Sequence, residues 1–115
     1  MDLFTQAYIE CALWASTDED GEPLEGLYSV DDLSPDALRE MTEDCAAFQE
    51  TEAEHLAGGS SERAGHDFWL TRNRHGAGFW DGDWSEPAAT KLTESAHAYG
   101  SCHLYVGDDG LLHVA

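Results

Sequence analysis

Basic residues are scarce in this chain of 115 residues. Five Lys and Arg stand against 24 Asp and Glu, which gives a formal net charge of −19. Proteins that bind DNA or RNA directly need Lys and Arg to neutralise phosphates, and an anionic membrane surface repels a chain of this charge. The composition therefore argues against direct nucleic-acid binding and against a membrane partner, and it predicts attraction to basic protein surfaces.

The shortage of basic residues is concentrated in one half of the chain. Residues 1–62 hold 17 acidic residues and one basic residue, whereas residues 63–115 hold seven and four. A high-salt cytoplasm would also favour an acidic, Lys-poor protein, but it would spread the acids along the whole chain. The asymmetry favours a specific negative surface in the first half.

Cysteines and long apolar runs are also few. The three cysteines are an odd number and form no CxxC pair, which predicts free thiols and a reducing compartment. No apolar run reaches the roughly 18 residues of a membrane-spanning helix. The opening stretch MDLFTQAYIECALW has an acid where a signal peptide has bases. We expect a soluble, cytoplasmic protein.

Aromatic and apolar residues are plentiful. Residues of apolar type make up 42% of the chain, and four Trp are among them. Disordered chains combine high net charge with few aromatic residues, so this composition predicts a folded protein. The length suits a single domain over residues 1–115.

Apolar spacing predicts three helices. The first covers residues 2–15. The second begins after Ser34, because Ser is a favoured N-cap and Pro35 suits a first helical turn, and GGSS at 58–61 ends it. The third covers residues 86–100, with Pro87 at its start and Gly100 after its end.

Turn-forming residues between apolar runs predict two hairpins. HDFWLTR (66–72) and AGFWD (77–81) would pair around NRHG, and CHLYV (102–106) would pair with LLHV (111–114) around GDDG. The expected order is α-α-β-β-α-β-β. The predicted fold class is α+β, a small domain with a mainly antiparallel sheet packed by helices.

The stretch GHDFWLTRNRHGAGFWDGDW (65–84) concentrates three Trp and two Phe. Most of these rings are expected in the core, and one nearby arginine is expected to tie the hairpin to the acidic helix. An alternative is a surface on which exposed rings stack single-stranded nucleic-acid bases beside arginines. Its residues would be Trp69, Trp80, Arg72 and Arg74. Exposed Trp residues would also suit a homodimer.

The second predicted helix carries acids on the face opposite its apolar residues. Like charges at this spacing disfavour a helix by a few tenths of a kcal/mol per pair, so a sequence shaped only by stability would alternate the signs. A solvated helix face is the simpler interpretation, and a partner-binding surface is the functional one. That surface would comprise Asp36, Glu40, Glu43, Glu50 and Glu54, with Asp18, Glu19, Asp20, Asp31 and Asp32 from the preceding loop.

Histidines and cysteines offer weaker candidates for chemistry. His66, His75, Cys102 and His103 could meet if the hairpins are neighbours, but their spacing matches no zinc motif. His66 and Asp67 could form a triad with Ser85 or Cys102, but no nucleophile lies in a GxSxG-type turn. We therefore expect no cofactor, no metal and no enzymatic activity, with a small metal protein or enzyme as the least favoured alternative.

The stretch AGHDFWLTRNRHGAGFWD (64–81) resembles a signature found in small acidic proteins of bacteriophages, prophages and plasmids. ECALWASTDEDGEPL (10–24), LTESAHAYG (92–100) and LYVGDDG (104–110) are similar to the same family, so the likeness spans most of the chain. The resemblance implies expression in a bacterial cytoplasm among accessory genes, and it supplies no catalytic residues.

These observations together predict a binding protein. Acidic proteins of mobile elements can imitate DNA, with carboxylates in place of phosphates, and occupy the basic cleft of another protein. We expect an inhibitor of a host DNA-binding or defence protein, such as a restriction enzyme, a CRISPR complex, a repair enzyme or a nucleoid protein. The alternative is the single-strand nucleic-acid module built on the aromatic stretch.

Overall fold

The structure, a computed structural model, describes residues 1–115 and has the predicted α+β class. Its elements are five helices, α1 (Leu3–Ala15), α2 (Pro35–Thr51), α3 (Ala53–Leu56), α4 (Ser61–Arg72) and α5 (Ala88–Tyr99), followed by strands β1 (Leu104–Val106) and β2 (Leu112–Val114). Two single 3-10 turns, Leu24–Gly26 and Val30–Asp32, lie between α1 and α2. None of the helices is both long and apolar enough to cross a membrane.

Helices α1 and α2 begin where the sequence predicts, and each is preceded by an N-cap residue whose side chain accepts a backbone N–H. Asp2 precedes α1 and its carboxylate accepts the Thr5 N–H at 2.8 Å. Ser34 precedes α2 and its hydroxyl accepts the Ala37 N–H at 3.0 Å, as its sequence position predicted. The expected single long helix is interrupted, however, because Glu52 leaves helical geometry (φ −106°, ψ 18°) and separates α2 from the one-turn α3.

The C-terminal hairpin is confirmed. Strands β1 and β2 pair antiparallel, with Tyr105 opposite His113 and Val106 opposite Leu112. The predicted turn residues 107–110 connect them, and the Gly107 N–H donates to the Leu111 carbonyl at 2.8 Å. The hairpin docks on the start of α2 through the Ser34 N–H, which donates to the Leu112 carbonyl at 2.9 Å.

The hairpin predicted for 66–81 is wrong. Residues 61–72 form helix α4, and residues 73–87 follow without regular structure. Ser60 caps α4 by accepting the Arg63 N–H at 3.1 Å. Beyond the helix, local bonds replace a strand ladder: the Phe79 N–H donates to the Thr71 hydroxyl at 3.1 Å. The predicted four-strand arrangement is therefore reduced to the single C-terminal hairpin.

Packing of α4 against α1 favours a helix here, and Gly65 permits that packing. Helix α4 packs more extensively on α1 than on any other element. A Cβ at Gly65 would overlap the carbonyl oxygen of Phe4, so the close approach of the two helices requires glycine. Aromatic residues favour strands only where the surroundings suit a strand, and packing against α1 overrides that preference.

The aromatic stretch does supply the core. The Phe68 ring stacks on Phe48 of α2 at 4.1 Å between centroids and lies 5.2 Å from the Tyr8 ring of α1. Phe79 and Trp84 are also buried and meet edge to face at 5.5 Å. The buried apolar residues form one cluster of 23, drawn from four helices, both strands and the segments between them.

Candidate binding surface

The acidic face, defined as Asp36, Glu40, Glu43 and Glu50 on α2 together with Glu54 on α3, is exposed throughout. The opposite side of α2 buries Ala37, Met41, Cys45 and Phe48 in the core. At 100° per residue these two sets lie on opposite sides of the helix. From Asp36 to Glu50 the face extends over about 21 Å, at 1.5 Å of rise per residue.

Almost nothing within the molecule compensates this charge. Asp36 pairs with Arg39 at 3.0 Å, and the side chains of both residues are more than half exposed, so the pair neutralises little. No other carboxylate of the acidic face has a salt bridge to a basic group. Apart from Asp36, which lies in the first turn of α2 and contacts Arg39, these carboxylates contribute no ion pair to the fold, and their mutual repulsion opposes the helix.

The five loop acids divide into two groups. Asp18 is half-buried and its carboxylate accepts the N–H groups of Asp20 and Glu22, both at 2.9 Å. Asp32 is half-buried and accepts the Ser29 N–H at 2.8 Å, which completes a capping box. Their carboxylates hold the loop in shape. Glu19, Asp20 and Asp31 are exposed and accept no hydrogen bond, so they are the loop acids that remain available.

The alternative surface of Trp69, Trp80, Arg72 and Arg74 is only partly exposed. Arg72 is 6% exposed and Trp69 is 2% exposed, which leaves only Arg74 and Trp80 of that set on the surface. Trp69 lies in α4 and meets Tyr8 edge to face at 5.3 Å. Arg72 does connect this stretch to the acidic helix, but from α4 and not from a hairpin: its guanidinium donates to Asp44 of α2 at 2.9 Å.

The residues considered for metal binding and catalysis are not assembled. His75, Cys102 and His103 border one cleft of about 390 Å³, while His66 borders another. No three His, Cys, Asp or Glu residues are grouped to hold a metal ion.

Asp67 is occupied elsewhere. Its carboxylate accepts the Trp84 indole N–H at 2.8 Å, and no hydrogen bond joins it to His66. Burial raises the pKa of this carboxyl above its ordinary value, although the Trp84 hydrogen bond works in the opposite direction. The hydrogen bond with Trp84 gives Asp67 a structural role, because it holds the segment that follows α4 against that helix.

Comparison with protein-family models, with curated proteins and with solved structures finds no match to this chain.

Proposed function

We propose that this chain is an acidic binding protein of the DNA-mimic type, which inhibits a bacterial DNA-binding or defence protein by occupying its basic cleft. The observation that carries the proposal is the acidic face, an exposed row of carboxylates with a single weak internal counter-charge. A DNA-binding cleft carries Lys and Arg that neutralise phosphates, and those same groups would pair with the carboxylates.

The packing of α2 on the core suits this role. Met41, Cys45 and Phe48 on its inner side are almost completely buried and fix the position of the helix. Its carboxylates are therefore held on a rigid element before a partner arrives, and less ordering of the backbone is needed on binding. The summed field would accelerate association with a basic partner and would weaken as salt is added.

The single-strand nucleic-acid alternative has less support. Base stacking needs exposed rings beside basic groups, and the structure leaves one ring, Trp80, and one arginine, Arg74, exposed from the expected set. The chain's overall charge of −19 opposes a nucleic-acid backbone as well. We therefore do not propose that function.

The proposal is tested by reversing charge on the acidic face. Immobilised wild-type protein and the variant E40K/E43K/E50K would be exposed to bacterial lysate and eluted with a salt gradient. The control is E62K/E94K/D108K, which makes the same change in net charge at exposed positions outside the face. Circular dichroism checks that both variants are folded.

We expect the wild type and the control to retain a DNA-binding protein that elutes as salt rises and that a DNA duplex displaces. The acidic-face variant should lose it. Equal retention by the two variants, or a partner that duplex DNA leaves in place, would contradict the proposal.

A further inference from the structure

A groove of about 800 Å³ lies between α1 and the chain segment that leads into α2. Its apolar lining includes Ile9 and Leu13 from α1, Leu33 and Leu38 from the entry to α2, and Val30 between them. Ile9, Leu13 and Leu33 are almost fully buried and form its floor, whereas Val30 is 37% exposed at its edge. Its volume lies within the range of about 300–1,000 Å³ that specific binding pockets occupy.

Carboxylates border this apolar groove, and no Lys or Arg lines it. Glu10, Glu25 and Asp31 are exposed there. Glu10 and Glu25 also border a neighbouring cleft of about 530 Å³, where Trp14 is 56% exposed and lies against the His66 ring at 6.0 Å between centroids. Exposed apolar side chains grouped in this way mark interaction surfaces. The border of the groove itself is acidic, and Arg63, which lines the neighbouring cleft, is paired with Asp83 at 2.8 Å.

We propose that the groove binds a basic amphipathic segment of the protein partner, with its apolar side chains on the floor and its Lys or Arg side chains against the acidic border. Helices that present one apolar face bind grooves of this kind through residues spaced three and four apart. The inference rests on the proposed function, which requires a basic partner, and it adds an apolar anchor next to Asp31, one of the exposed loop acids.

Charge selects this occupant over a second copy of the chain. Two copies would bring together molecules of net charge −19, and the border of the groove would meet another acidic surface. A basic segment instead gains from both the apolar floor and the carboxylates. Asp31 belongs to the border of the groove and to the exposed loop acids, so one partner could reach both.

The test uses a synthetic peptide with Leu on one helical face and Lys on the other. A permuted peptide of the same composition, without a continuous apolar face, is the control ligand. Amide chemical shifts of the ¹⁵N-labelled protein locate the binding site, and fluorescence anisotropy of labelled peptide gives the affinity. V30S removes apolar surface at the exposed edge of the groove without adding charge, while L3S makes a similar change at an exposed position of α1 outside it.

We expect the amphipathic peptide to shift the amides of Ile9, Val30 and Leu38. V30S should weaken binding by about tenfold, which corresponds to about 1.4 kcal/mol, and L3S should change it less than about twofold. Equal affinity for the permuted peptide, or equal losses in V30S and L3S, would overturn the proposal. So would concentration-dependent dimerisation that shifts the same amides without peptide.

These results are separable from those on the acidic face. E40K/E43K/E50K leaves every residue that lines the groove in place, so this variant should still show the groove's preference for the amphipathic over the permuted peptide. If that preference persists while the acidic-face variant also keeps its captured protein, the proposed function fails and the groove remains a binding site. If the capture result holds but both peptides bind equally, only the groove proposal fails.

Discussion

Arg72 links four parts of the fold, and its replacement gives a direct test of how the molecule is held together. Its Nε donates to the Gly100 carbonyl at 2.9 Å, and one Nη donates to the Tyr8 hydroxyl at 3.0 Å and to Asp44 at 2.9 Å. The other Nη donates to the Tyr99 carbonyl at 3.3 Å. The guanidinium thereby joins α4 to α1, to α2 and to the end of α5.

The cost of removing this group can be estimated from its burial. Breaking a buried ion pair by deleting one partner costs about 3–5 kcal/mol. The Arg72 side chain is 6% exposed, but the Asp44 side chain is 29% exposed, so water reaches the abandoned carboxylate and the lower end applies. We expect R72A to lose about 3 kcal/mol. At about 4 °C per kcal/mol for a domain of this size, the melting temperature should fall by roughly 12 °C.

Two further variants separate charge from geometry. R72K keeps the positive charge but lacks the planar fork that serves several acceptors, so we expect a loss of about 1–2 kcal/mol. D44N keeps an oxygen acceptor but leaves the 6%-exposed guanidinium without its counter-charge, and we expect a loss of about 2–3 kcal/mol. Urea unfolding followed by circular dichroism measures all three. A loss below about 0.5 kcal/mol in R72A, the size typical of an ordinary surface substitution, would refute the reasoning.

Two further predictions concern α4. G65A should lose about 1–3 kcal/mol in urea unfolding because the new methyl group would overlap the Phe4 carbonyl oxygen, while G58A, where a Cβ meets open space, should lose nothing. Burial raises the pKa of Asp67, so the stability of the wild type relative to D67N should fall as the pH rises above about 4 through that raised value; equal pH profiles for the two proteins would contradict this.

Local signals were sufficient for several elements. The cap at Ser34, the apolar spacing of α1, the Pro and Gly bounding α5 and the GDDG turn each specify a short segment without help from the rest of the chain. Gly100 ends α5 in the left-handed region at φ 75°, where glycine is favoured. These elements were predicted close to where they occur.

The error in α4 has a physical cause. Ala64, Phe68 and Arg72 recur every four residues after the capping Ser60, a helical pattern present in the sequence. The aromatic run and the Asn and Gly that follow it suggested strands more strongly. The deciding factor is the close contact of Gly65 with α1, about 60 residues distant along the chain, which no local pattern reveals.

The candidate surfaces were predictable to different degrees. Exposure of the acidic face follows from helical spacing alone, because the apolar residues of α2 define the buried side. The burial of Arg72 depends on Tyr8, Asp44 and Gly100, which lie 28 to 64 residues away. The groove is formed by α1 together with the segment that leads into α2, so the sequence of either segment alone does not predict it.

We propose that the acidic face occupies the site at which a basic partner binds DNA. The most direct test of this proposal is a titration of the captured partner, bound to a fluorescent DNA duplex, with this protein at several salt concentrations. We expect the wild-type protein to release the duplex stoichiometrically, with less release as the salt concentration rises, and we expect E40K/E43K/E50K to release none. Formation of a ternary complex that retains the duplex would contradict it.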